Sequence, residues 1–504
     1  MRAFDCDEIA GLLGAQWHPA APSGVLVGVS TDTRTLAAGE LFIALRGPNH
    51  DGHDWLAAAR ERGACAALVE RRLPVPLPQL VVTDTRRALG QLAAAWRTRF
   101  AGLVLAVTGS NGKTTVKEML AAILRQRGPV LATRGNLNND IGLPLMLLQL
   151  RPEHGCAVLE MGASHAGEIA WLASLARPDV ALVNNAGAAH LEGFGGLEGV
   201  ARAKGELYAA LPRGGTAVIN ADDAFASYWR TVGGARRVIS FGLEKVADVS
   251  AGVELSATGA RLQLRTPQGR AQAQLSVPGR HNVMNALAAS ACALAAGVGL
   301  KDISAGLAAF TPAPGRLASL PGAAGSRVMD DTYNANPSSL AAALAAVAAQ
   351  PGEHWLVLGD MFELGADASR LHAACGTQAR AAGFSRLFTL GEHSAEAARA
   401  FGSGALHFGQ DAEGLARAVL EILDPQVTVL VKGSRGMKME RVVQRLVESR
   451  ETDDKGQVLE KAVMRPGGMQ RADGSAALTH AADGPPCAPP VLGLSERVEK
   501  RRPA

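Results

Sequence analysis

An excess of charge of one sign is missing from this 504-residue chain, and so is any paired-cysteine motif. There are 51 Lys and Arg residues against 47 Asp and Glu, a net charge of +4, so the chain has no large basic field of the kind that binds nucleic acid. The six cysteines form no C-x-x-C pair, which argues against a zinc site or a disulfide framework. We therefore expect reduced, mostly buried thiols and no nucleic-acid partner.

Long apolar runs are missing as well. No stretch of about 18 residues, the length that a helix needs to cross a bilayer, is free of charged or polar breaks. The first residues, MRAFDCDEIAGLL, are acidic and therefore unlike a secretory signal peptide, which begins with positive charge. These features predict a cytoplasmic protein with no membrane span.

The length and composition predict several globular domains. At roughly 100 to 200 residues per domain the chain has room for about three, and 47% hydrophobic residues can fill their cores. We predict an N-terminal domain at 1–100, a central domain at 101–314 and a C-terminal domain at 315–450. The remaining residues, 451–504, contain no aromatic residue and no isoleucine, so we predict a largely disordered tail.

Buried-strand patterns alternate with helical patterns, which predicts the α/β class. In the central domain, the apolar runs LVLAVTGS, CAVLEMG, DVALVNNAG and GTAVINADD predict a parallel sheet covered by helices. Residues 246–278 alternate with period two, as in ARLQLR and AQAQLSV, and predict an antiparallel insertion or edge ribbon. Strands recur later at WLVLGD, RLFTLG and VTVLVKGS, so the C-terminal domain is also predicted to be α/β.

The strongest local signal is the run TGSNGKTT at residues 108–115. It follows an apolar strand and precedes a helical pattern that we expect to stop near Gly128. Gly109 and Gly112 let the backbone wrap around phosphates, Lys113 supplies a positive charge, and Thr114 suits Mg²⁺. The run is a shorter variant of the G-x-x-x-x-G-K-[ST] loop. ATP binding is the favoured interpretation; the alternative is a glycine turn with a surface lysine.

Three further residues follow the central strands. Glu160 ends the strand CAVLE, where a carboxylate can hold a metal ion beside phosphates, and His190 and Lys204 come after the next strand. Taken alone, each residue is more typical of a structural role: a surface charge, a packed histidine and a solvated lysine.

A series of motifs, taken in order along the chain, resembles the Mur ligases. The motifs are TGSNGKTT, GNLNNDIGLP, LEMGASHAGEI, AHLEGFGGLEGVARAKGE, GRHNVMNALAA, DDTYNANPSS, GDMFELG and KGSRGMKMERVV. The resemblance covers about residues 25 to 450. Within the family, the motifs most resemble the branch that joins D-alanyl-D-alanine to UDP-N-acetylmuramoyl-tripeptide. It implies a P-loop-type central ATPase domain, a Rossmann-like C-terminal domain and an ADP-forming amide ligase that passes through an acyl phosphate.

The resemblance also implies roles for individual residues. Catalytic roles fall on Lys113, Glu160, His190, Lys204 and Arg316, with Arg316 directed at the γ-phosphate. Mg²⁺ would be held by Thr114 and Glu160, and a second metal by His190 and by Lys204 if that lysine is carbamylated, which the resemblance leaves open. The residues implied in ATP binding are Thr108, Gly109, Ser110, Asn111, Gly112, Lys113, Thr114, Thr115, His281, Asn282, Asn285, Asp331 and Asn334.

The N-terminal domain is expected to hold the UDP end of the substrate. The segments STDTR and RGPNHDGHD match the family there, and the residues carried over are Ser30, Asp32, Arg34, Arg46 and Asn49. The alternative interpretation is that these segments only form turns in a small α/β domain. The expected partners are ATP, UDP-N-acetylmuramoyl-tripeptide and D-alanyl-D-alanine, and the expected state is a monomer.

Two rival functions stay open from the sequence. Another Mur ligase, or a ligase like folylpolyglutamate synthase, would share the phosphate loop and the chemistry, although DDTYNANPSS and AHLEGFGG weigh against both. A nucleotide-dependent switch that ligates nothing would bind ATP but would leave the motifs of the C-terminal domain unexplained. The third residue of the tripeptide, diaminopimelate or lysine, is likewise open.

Overall fold

The computed structural model describes residues 4–22, 26–187, 191–234, 236–447, 451–452 and 458–459. It is of mixed α/β class, as predicted, with three large sheets that follow one another along the chain. Among the helices of these described residues, none combines the length and the hydropathy that a bilayer-spanning segment needs. The domain boundaries proposed from the sequence stay predictions.

The first sheet has five short strands, and only its first strand runs antiparallel to its neighbour. The strands are β1 (Trp17–His18), β2 (Val29–Ser30), β3 (Leu41–Ile43), β4 (Ala66–Val69) and β5 (Gln79–Val81). The order across the sheet is β1-β5-β4-β3-β2. The helices are α1 (Cys6–Leu13), α2 (Leu56–Glu61), which follows a 3₁₀ turn at Gly52–Trp55, and α3 (Thr85–Thr98).

Helix α3 connects the first sheet to the central region. Its Trp96 indole donates a hydrogen bond to the carbonyl of Leu150 (3.1 Å), and Arg97 Nε donates to the carbonyl of Ala176 (2.8 Å). A single buried cluster runs from Phe4 through α3 to the helices on one face of the central sheet. The N-terminal domain is therefore anchored by packing as well as by the chain connection.

The central sheet is entirely parallel. Its strands are β6 (Leu103–Thr108), β7 (Val130–Ala132), β8 (Cys156–Glu160), β9 (Val180–Val183), β10 (Thr216–Asn220) and β11 (Arg237–Phe241), in the order β11-β10-β9-β6-β8-β7. The intervening helices are α4 (Lys113–Arg125), α5 (Gly142–Leu147), α6 (Glu168–Ala176), α7 (Leu191–Phe194), α8 (Leu197–Ala209) and α9 (Ala226–Gly233). The predicted parallel sheet is confirmed.

Helix α4 begins directly after the phosphate loop, as the sequence predicts. Its apolar residues are buried against the sheet on one side: Val116, Met119, Leu120, Ile123 and Leu124. The helix ends at Arg125, three residues before the predicted stop at Gly128. Gly128 has φ 144° and lies instead in the turn that leads into β7.

The predicted antiparallel insertion is also confirmed. It forms a three-stranded sheet of β12 (Ser250–Ser256), β13 (Gly259–Thr266) and β14 (Gly269–Leu275). Along β13, buried Leu262 and Leu264 alternate with exposed Arg261, Gln263 and Arg265. The buried face joins the second core of the central region, together with α10 (Arg280–Ala295) and α11 (Leu300–Ala309).

The third sheet has one antiparallel edge strand and five parallel strands. Its strands are β15 (Ala318–Pro321), β16 (Arg327–Asp331), β17 (Glu353–Gly359), β18 (Arg386–Leu390), β19 (Ala405–His407) and β20 (Val427–Lys432), in the order β15-β16-β20-β17-β18-β19. Its helices are α12 (Pro337–Ala348), α13 (Ala368–Ala381), α14 (Ser394–Phe401), α15 (Ala412–Leu420) and α16 (Glu440–Val447), and short 3₁₀ turns lie at Ala323–Gly325, Gly365–Asp367 and Arg435–Met437.

The predicted tail lies outside the described residues except for one strand pair. That pair is β21 (Glu451–Thr452) with β22 (Val458–Leu459), and it is antiparallel. Five of the six cysteines lie in the described part of the chain, and each is a free thiol, as expected; Cys6, Cys156, Cys292 and Cys375 are buried and Cys65 is half-buried. Cys487 falls outside it.

Candidate functional site

A cleft of about 1130 Å³ lies where the central sheet faces the C-terminal domain. Strands β9, β6 and β8 are neighbours and parallel, so their carboxyl ends meet at one edge. Open α/β sheets bind ligands at this edge. The cleft is lined from the central side by the phosphate loop and Glu160, and from the other side by Arg316, Asp331 and Lys432.

Two glycines allow the phosphate loop to adopt its path. Gly109 has φ 152°, and Gly112 has φ 77°, a left-handed conformation that side chains disfavour. A Cβ atom at Gly112 would lie 2.4 Å from Asn285 Oδ1 and 2.6 Å from Asn184 Nδ2. Any larger residue at this position would therefore displace the amides that hold the loop.

The loop is fixed from behind by two asparagines that follow β9. The side chain of Asn185 accepts a hydrogen bond from the Asn111 backbone N–H (2.9 Å) and donates to the Asn111 carbonyl (3.1 Å). Asn184 Nδ2 donates to the same carbonyl (3.0 Å) and to Asn285 Oδ1 (3.0 Å). Ser110 is held in the same way by Gly187, with which it exchanges two hydrogen bonds.

Lys113 curls back over the loop. Its Nζ donates to the carbonyls of Gly109 (2.7 Å) and Ser110 (3.4 Å). Burial lowers the pKa of Lys113, while the charge of Glu160 opposes that change and the charge of Arg316 adds to it. The ammonium group of Lys113 therefore lies beside the space above the loop, which is the place expected for a phosphate.

Thr114 and Glu160 are brought together as the sequence predicts. The Thr114 hydroxyl donates to Glu160 Oε2 (3.0 Å), and Asn138 Nδ2 donates to Glu160 Oε1 (2.7 Å). Both Thr114 and Glu160 are buried. A hydroxyl and a carboxylate are hard oxygen donors, and Mg²⁺ in such sites is held by one or two protein oxygens together with substrate phosphates. The donor pair fits that ion.

The second predicted metal site involves His190 and Lys204. Over the described residues, no group of three or more His, Cys, Asp or Glu side chains is placed to hold a metal ion. His190 falls outside those residues. Lys204, on α8, is almost fully buried, and its Nζ lies 5.6 Å from the centre of the Phe194 ring. Burial, with a smaller effect of the charge on Lys113, lowers the pKa of Lys204 to about 7.

The residues carried over for the adenine side lie at the start of α10. Asn282 and Asn285 are buried and bond to protein atoms: Asn285 Nδ2 donates to Asn282 Oδ1 (3.2 Å), and Asn282 Nδ2 donates to the carbonyl of Pro278 (2.8 Å). His281 lines the cleft. Burial lowers the pKa of His281 to about 4, although the charge of Asp331 opposes the change. These positions bring α10 against the phosphate loop, and adenine contacts stay a prediction.

Arg316 reaches from the C-terminal domain to the phosphate loop. Its Nη2 donates to Thr114 Oγ1 (2.9 Å), and its guanidinium carbon lies 3.8 Å from the centre of the Tyr333 ring. Within the described structure, Arg316 Nε is buried and has no hydrogen-bond partner. A cation held against Thr114 is well placed to meet a phosphoryl oxygen.

Asp331 is held by a lysine that the sequence reasoning did not select. Lys432 Nζ donates to Asp331 Oδ2 (2.5 Å) and to the carbonyl of Asn334 (2.9 Å). Lys432 is almost fully buried at the end of β20, and Asp331 Oδ1 also accepts from the backbone of Leu317 (3.1 Å). Asn334 itself is exposed at the edge of the cleft.

A second contact joins the two sides of the cleft. Asn336 Nδ2 donates to Asn111 Oδ1 (2.9 Å), and Asn111 Nδ2 donates to the hydroxyl of Ser338 (2.9 Å). Asn336 is also the N-cap of α12, where its side chain accepts from the Ser339 backbone (2.8 Å). The phosphate loop is therefore bonded directly to the start of a helix in the C-terminal domain.

The N-terminal residues expected to bind UDP lie elsewhere. None of Ser30, Asp32, Arg34, Arg46 and Asn49 lines the cleft. Arg34 forms an exposed ion pair with Asp32 (2.7 Å), and Arg46 lies 3.4 Å from Asp51 and 3.5 Å from Glu70. Ser30 Oγ closes a turn with Asp32, and Asn49 is exposed.

The remaining loop residues divide into one that faces inward and one that faces the cleft. Thr108 Oγ1 is buried and donates to the carbonyl of Met161 (2.8 Å), a packing role, whereas Thr115 lines the cleft. Sequence reasoning did not select several polar residues of the site, although each stands in a quoted motif or directly after a predicted strand. They are Asn138, Asn184, Asn185, Asn336 and Lys432.

Three family models match the chain in succession. The Mur ligase family, catalytic domain matches residues 26–97, the Mur ligase middle domain matches 107–293, and the Mur ligase, glutamate ligase domain matches 315–435. A UDP-N-acetylmuramoyl-tripeptide–D-alanyl-D-alanine ligase of Escherichia coli (strain K12) is 48% identical over 424 residues, which cover 84% of this chain and 94% of that protein.

Solved structures give the same result. A crystal structure of MurF from Acinetobacter baumannii is similar with a TM-score of 0.84 at 38% identity, and the match covers 88% of this chain and 98% of that one. MurF ligase from Thermotoga maritima, solved in complex with ADP, is similar with a TM-score of 0.74 at 29% identity, covering 83% and 97%. The similarity thus extends over all three sheets.

Proposed function

This chain belongs to the Mur ligase family, and on that premise we propose that it joins D-alanyl-D-alanine to UDP-N-acetylmuramoyl-tripeptide in peptidoglycan synthesis. Identity of 48% to the Escherichia coli ligase over 94% of that protein carries the proposal. The cleft supports it, because a phosphate loop, a buried carboxylate and a cation from a second domain meet there. ATP is the proposed energy source, and a similar ligase has been solved with ADP.

The proposed reaction has two steps. A carboxylate oxygen of the tripeptide attacks the γ-phosphorus of ATP, and the bond between the γ-phosphorus and the bridging oxygen breaks. ADP is the leaving group, and the tripeptide becomes an acyl phosphate. The amine of D-alanyl-D-alanine then attacks the acyl carbon, loses a proton and expels phosphate. The first step brings a carboxylate against a triphosphate, and the second builds negative charge on the oxygen of a tetrahedral intermediate, so positioning and charge neutralisation supply most of the rate.

The central domain supplies the charge neutralisation at the phosphates. The loop N–H groups and the start of α4 face the triphosphate. Lys113 exchanges its hydrogen bonds to the loop carbonyls for contacts with oxygens of the β- and γ-phosphates. Thr114 and Glu160 would hold Mg²⁺, which withdraws charge from the phosphate oxygens. Asn138 keeps the Glu160 carboxylate in place, at 2.7 Å.

The C-terminal domain completes the site. Arg316, stacked on Tyr333, moves from Thr114 Oγ1 to the transferring phosphoryl group, and Asp331, fixed by Lys432, meets the ribose. Because these groups come from a separate sheet, they act only while the two sides of the cleft are closed. Closure also excludes water from the acyl phosphate.

The UDP moiety of the substrate is expected on the N-terminal domain, away from the cleft. Ser30, Asp32, Arg34, Arg46 and Asn49 are proposed to hold the UDP moiety on the N-terminal domain. Since ATP and a UDP-linked precursor are consumed, the reaction is placed in the cytoplasm. A monomer is proposed.

Carbamylation of Lys204 is the proposal for the second metal ligand. A lysine with a pKa of about 7 is largely a neutral amine above neutral pH, the form that attacks carbon dioxide. The carbamate would replace a buried cation by an oxygen ligand. Incubation with ¹³C-bicarbonate is expected to give a carbamate signal in the ¹³C NMR spectrum that Lys204→Arg abolishes; an unchanged signal in the variant would contradict the assignment.

The test of the function is release of phosphate from ATP in the presence of Mg²⁺, UDP-N-acetylmuramoyl-tripeptide and D-alanyl-D-alanine, with each omitted in turn. We expect release to require both co-substrates and mass spectrometry to detect the UDP-muramyl pentapeptide. Release that is indifferent to both would favour a nucleotide switch. A panel of other amino acids, folate substrates, and tripeptides ending in lysine or diaminopimelate separates the other ligases and fixes the third residue.

A further inference from the structure

The C-terminal domain presents a second arginine to the cleft, beyond the one that contacts the phosphate loop. Arg435 lies on the 3₁₀ turn that follows β20, and it lines the same cleft as Lys113 and Arg316. Its side chain is 62% exposed. The function proposed above gives this arginine no partner, since the phosphates are met by Lys113 and Arg316.

The ring of Tyr333 relates the two arginines in space. The guanidinium carbon of Arg316 lies 3.8 Å from the ring centre, and that of Arg435 lies 5.8 Å from the same centre. The sum of these distances, about 9.6 Å, is an upper limit on the separation of the two guanidinium carbons. Arg316 contacts Thr114 (2.9 Å) and so marks the phosphate end of this arrangement.

An apolar side chain stands beside Arg435. Phe362, on the loop after β17, is 46% exposed, although its backbone N–H is fixed by Ser434 Oγ (2.8 Å). A Cβ atom on Gly436 would lie 2.7 Å from the Phe362 ring, so the missing side chain at this position lets the ring rest on the turn. An exposed aromatic ring held in a polar cleft is suited to contact with small apolar groups.

Arg435 is oriented but not saturated. Its Nη1 lies 3.3 Å from Glu440 Oε1, which fixes the direction of the guanidinium. A guanidinium has five N–H donors in a planar fork, and no hydrogen bond from Arg435 to another of the described side chains accompanies that ion pair. The remaining donors therefore suit a planar anion such as a carboxylate.

We propose that Arg435 and Phe362 form the subsite for the incoming dipeptide, with Arg435 binding its terminal carboxylate and Phe362 contacting a methyl side chain. The inference rests on the proposed function. The two guanidinium carbons lie at most about 9.6 Å apart, and two extended residues span about 7 Å, so a dipeptide whose amine meets the acyl carbon beside Arg316 can reach Arg435 with its carboxylate.

The test compares D-alanyl-D-alanine with D-alanyl-D-alaninamide, which lacks the negative charge. We expect the unmodified protein to prefer the acid, and Arg435→Ala to raise KM for the acid by about 10- to 100-fold, the effect of one charged hydrogen-bonded pair, with KM for the amide, ATP and the UDP-linked substrate unchanged. Arg435→Lys should recover part of the preference. Phe362→Ala should raise KM for acid and amide alike.

The matched control is Arg399→Ala, which removes an exposed arginine that pairs with Glu396 on α14 and does not line the cleft. It should leave every KM unchanged. A preference for the acid that survives Arg435→Ala, or a rise in KM for the UDP-linked substrate, would overturn the assignment. Absence of pentapeptide from the unmodified protein with any dipeptide would instead contradict the proposed function.

Discussion

The cleft and the N-terminal domain both contain residues that the sequence nominates for binding, but these residues find their partners in different ways. In the cleft, Thr114 bonds to Arg316 and Asn111 bonds to Asn336, pairs that are 202 and 225 positions apart in the chain. On the N-terminal domain, Ser30 and Arg34 bond to Asp32, two positions away. The cleft is assembled by the tertiary fold, whereas Ser30, Asp32 and Arg34 are satisfied by a local turn.

This difference separates two kinds of evidence for a site. A side chain bonded to its sequence neighbour has a local reason for its type, since Asp and Ser close turns wherever chains turn. A hydrogen bond between a phosphate loop and a helix of another domain has no such local reason. The cleft therefore supports a functional site by geometry, whereas the N-terminal residues depend on the family resemblance.

The largest expected effect is at Lys113. Lys113→Ala should reduce kcat for ligation by about 10² to 10⁴-fold, because it removes a preorganised charge at the transferring phosphoryl group. Steady-state phosphate release measures this. Lys301→Ala, which removes an exposed lysine on α11, is the control and should have no effect. Near-normal turnover of Lys113→Ala would contradict the assignment of the phosphate loop as the ATP-binding site.

The next effect concerns acid stability of the cleft. Since burial lowers the pKa of His281 to about 4 from an ordinary value of 6.5, the unfolded chain binds a proton between these values that the folded chain does not. Stability should therefore fall as pH falls from 6.5 to 4. Between pH 6.5 and pH 4 the free energy of unfolding of the wild type should fall by roughly 1 to 3 kcal/mol more than that of His281→Gln. This range is set below the full value of the pKa shift because the side chain is partly exposed to solvent.

Urea unfolding at pH 4, 5, 6 and 7 checks this effect. His50→Gln, which removes an exposed histidine on the N-terminal domain, should follow the wild type at every pH. If the wild type and His281→Gln lose stability in parallel, His281 is solvated in the folded protein and the packing of α10 against the C-terminal domain is looser than described.

A smaller effect should separate the contact across the cleft from the helix cap. Asn336→Ser retains a good N-cap for α12 but is too short to donate to Asn111. We expect the melting temperature to stay close to that of the wild type and kcat/KM for ATP to fall by about 3- to 10-fold, the range for one hydrogen bond. Asn336→Ala should lose both stability and activity. Equal kinetics for wild type and Asn336→Ser would mean that the contact does not assist closure.

The smallest effect is expected at Arg34. Its ion pair with Asp32 is exposed, so Arg34→Ala should leave the free energy of unfolding close to that of the wild type. KM for the UDP-linked substrate should rise about 3- to 10-fold with kcat unchanged, the signature of lost ground-state binding. Arg261→Ala, which breaks an exposed pair with Glu254 on the antiparallel ribbon, is the control. A KM identical to that of the wild type would leave only the turn interpretation for Arg34.

Much of the fold could be predicted from the sequence because its signals are local. The apolar runs at β6, β8, β9 and β10 are long and bounded by polar residues, and the period-two pattern around β13 appears as the ribbon. Short edge strands such as β1, β7 and β19 were not predicted, because two or three residues carry no periodicity. The end of α4 before Gly128 shows the usual imprecision of helix boundaries.

The site was predictable only in part for a related reason. Thr114 and Glu160 can be paired because Thr114 follows β6 and Glu160 ends β8, and neighbouring parallel strands end at one edge. Asn184, Asn138 and Lys432 bond to residues far away in the sequence, so their roles depend on strand order and domain packing, which spacing does not encode. The family resemblance implies a role for Arg316, but its contact with Thr114 joins residues of two domains and depends on the tertiary fold.

The most direct test of the central claim, ligation through an acyl phosphate in this cleft, is to label both carboxylate oxygens of the tripeptide's reacting carboxyl group with ¹⁸O and to analyse the released phosphate by mass spectrometry. Ligation through an acyl phosphate should give one ¹⁸O atom in each phosphate, because the oxygen that attacks the γ-phosphorus leaves with it when the amide forms. Phosphate without ¹⁸O, released while pentapeptide accumulates, would contradict the mechanism.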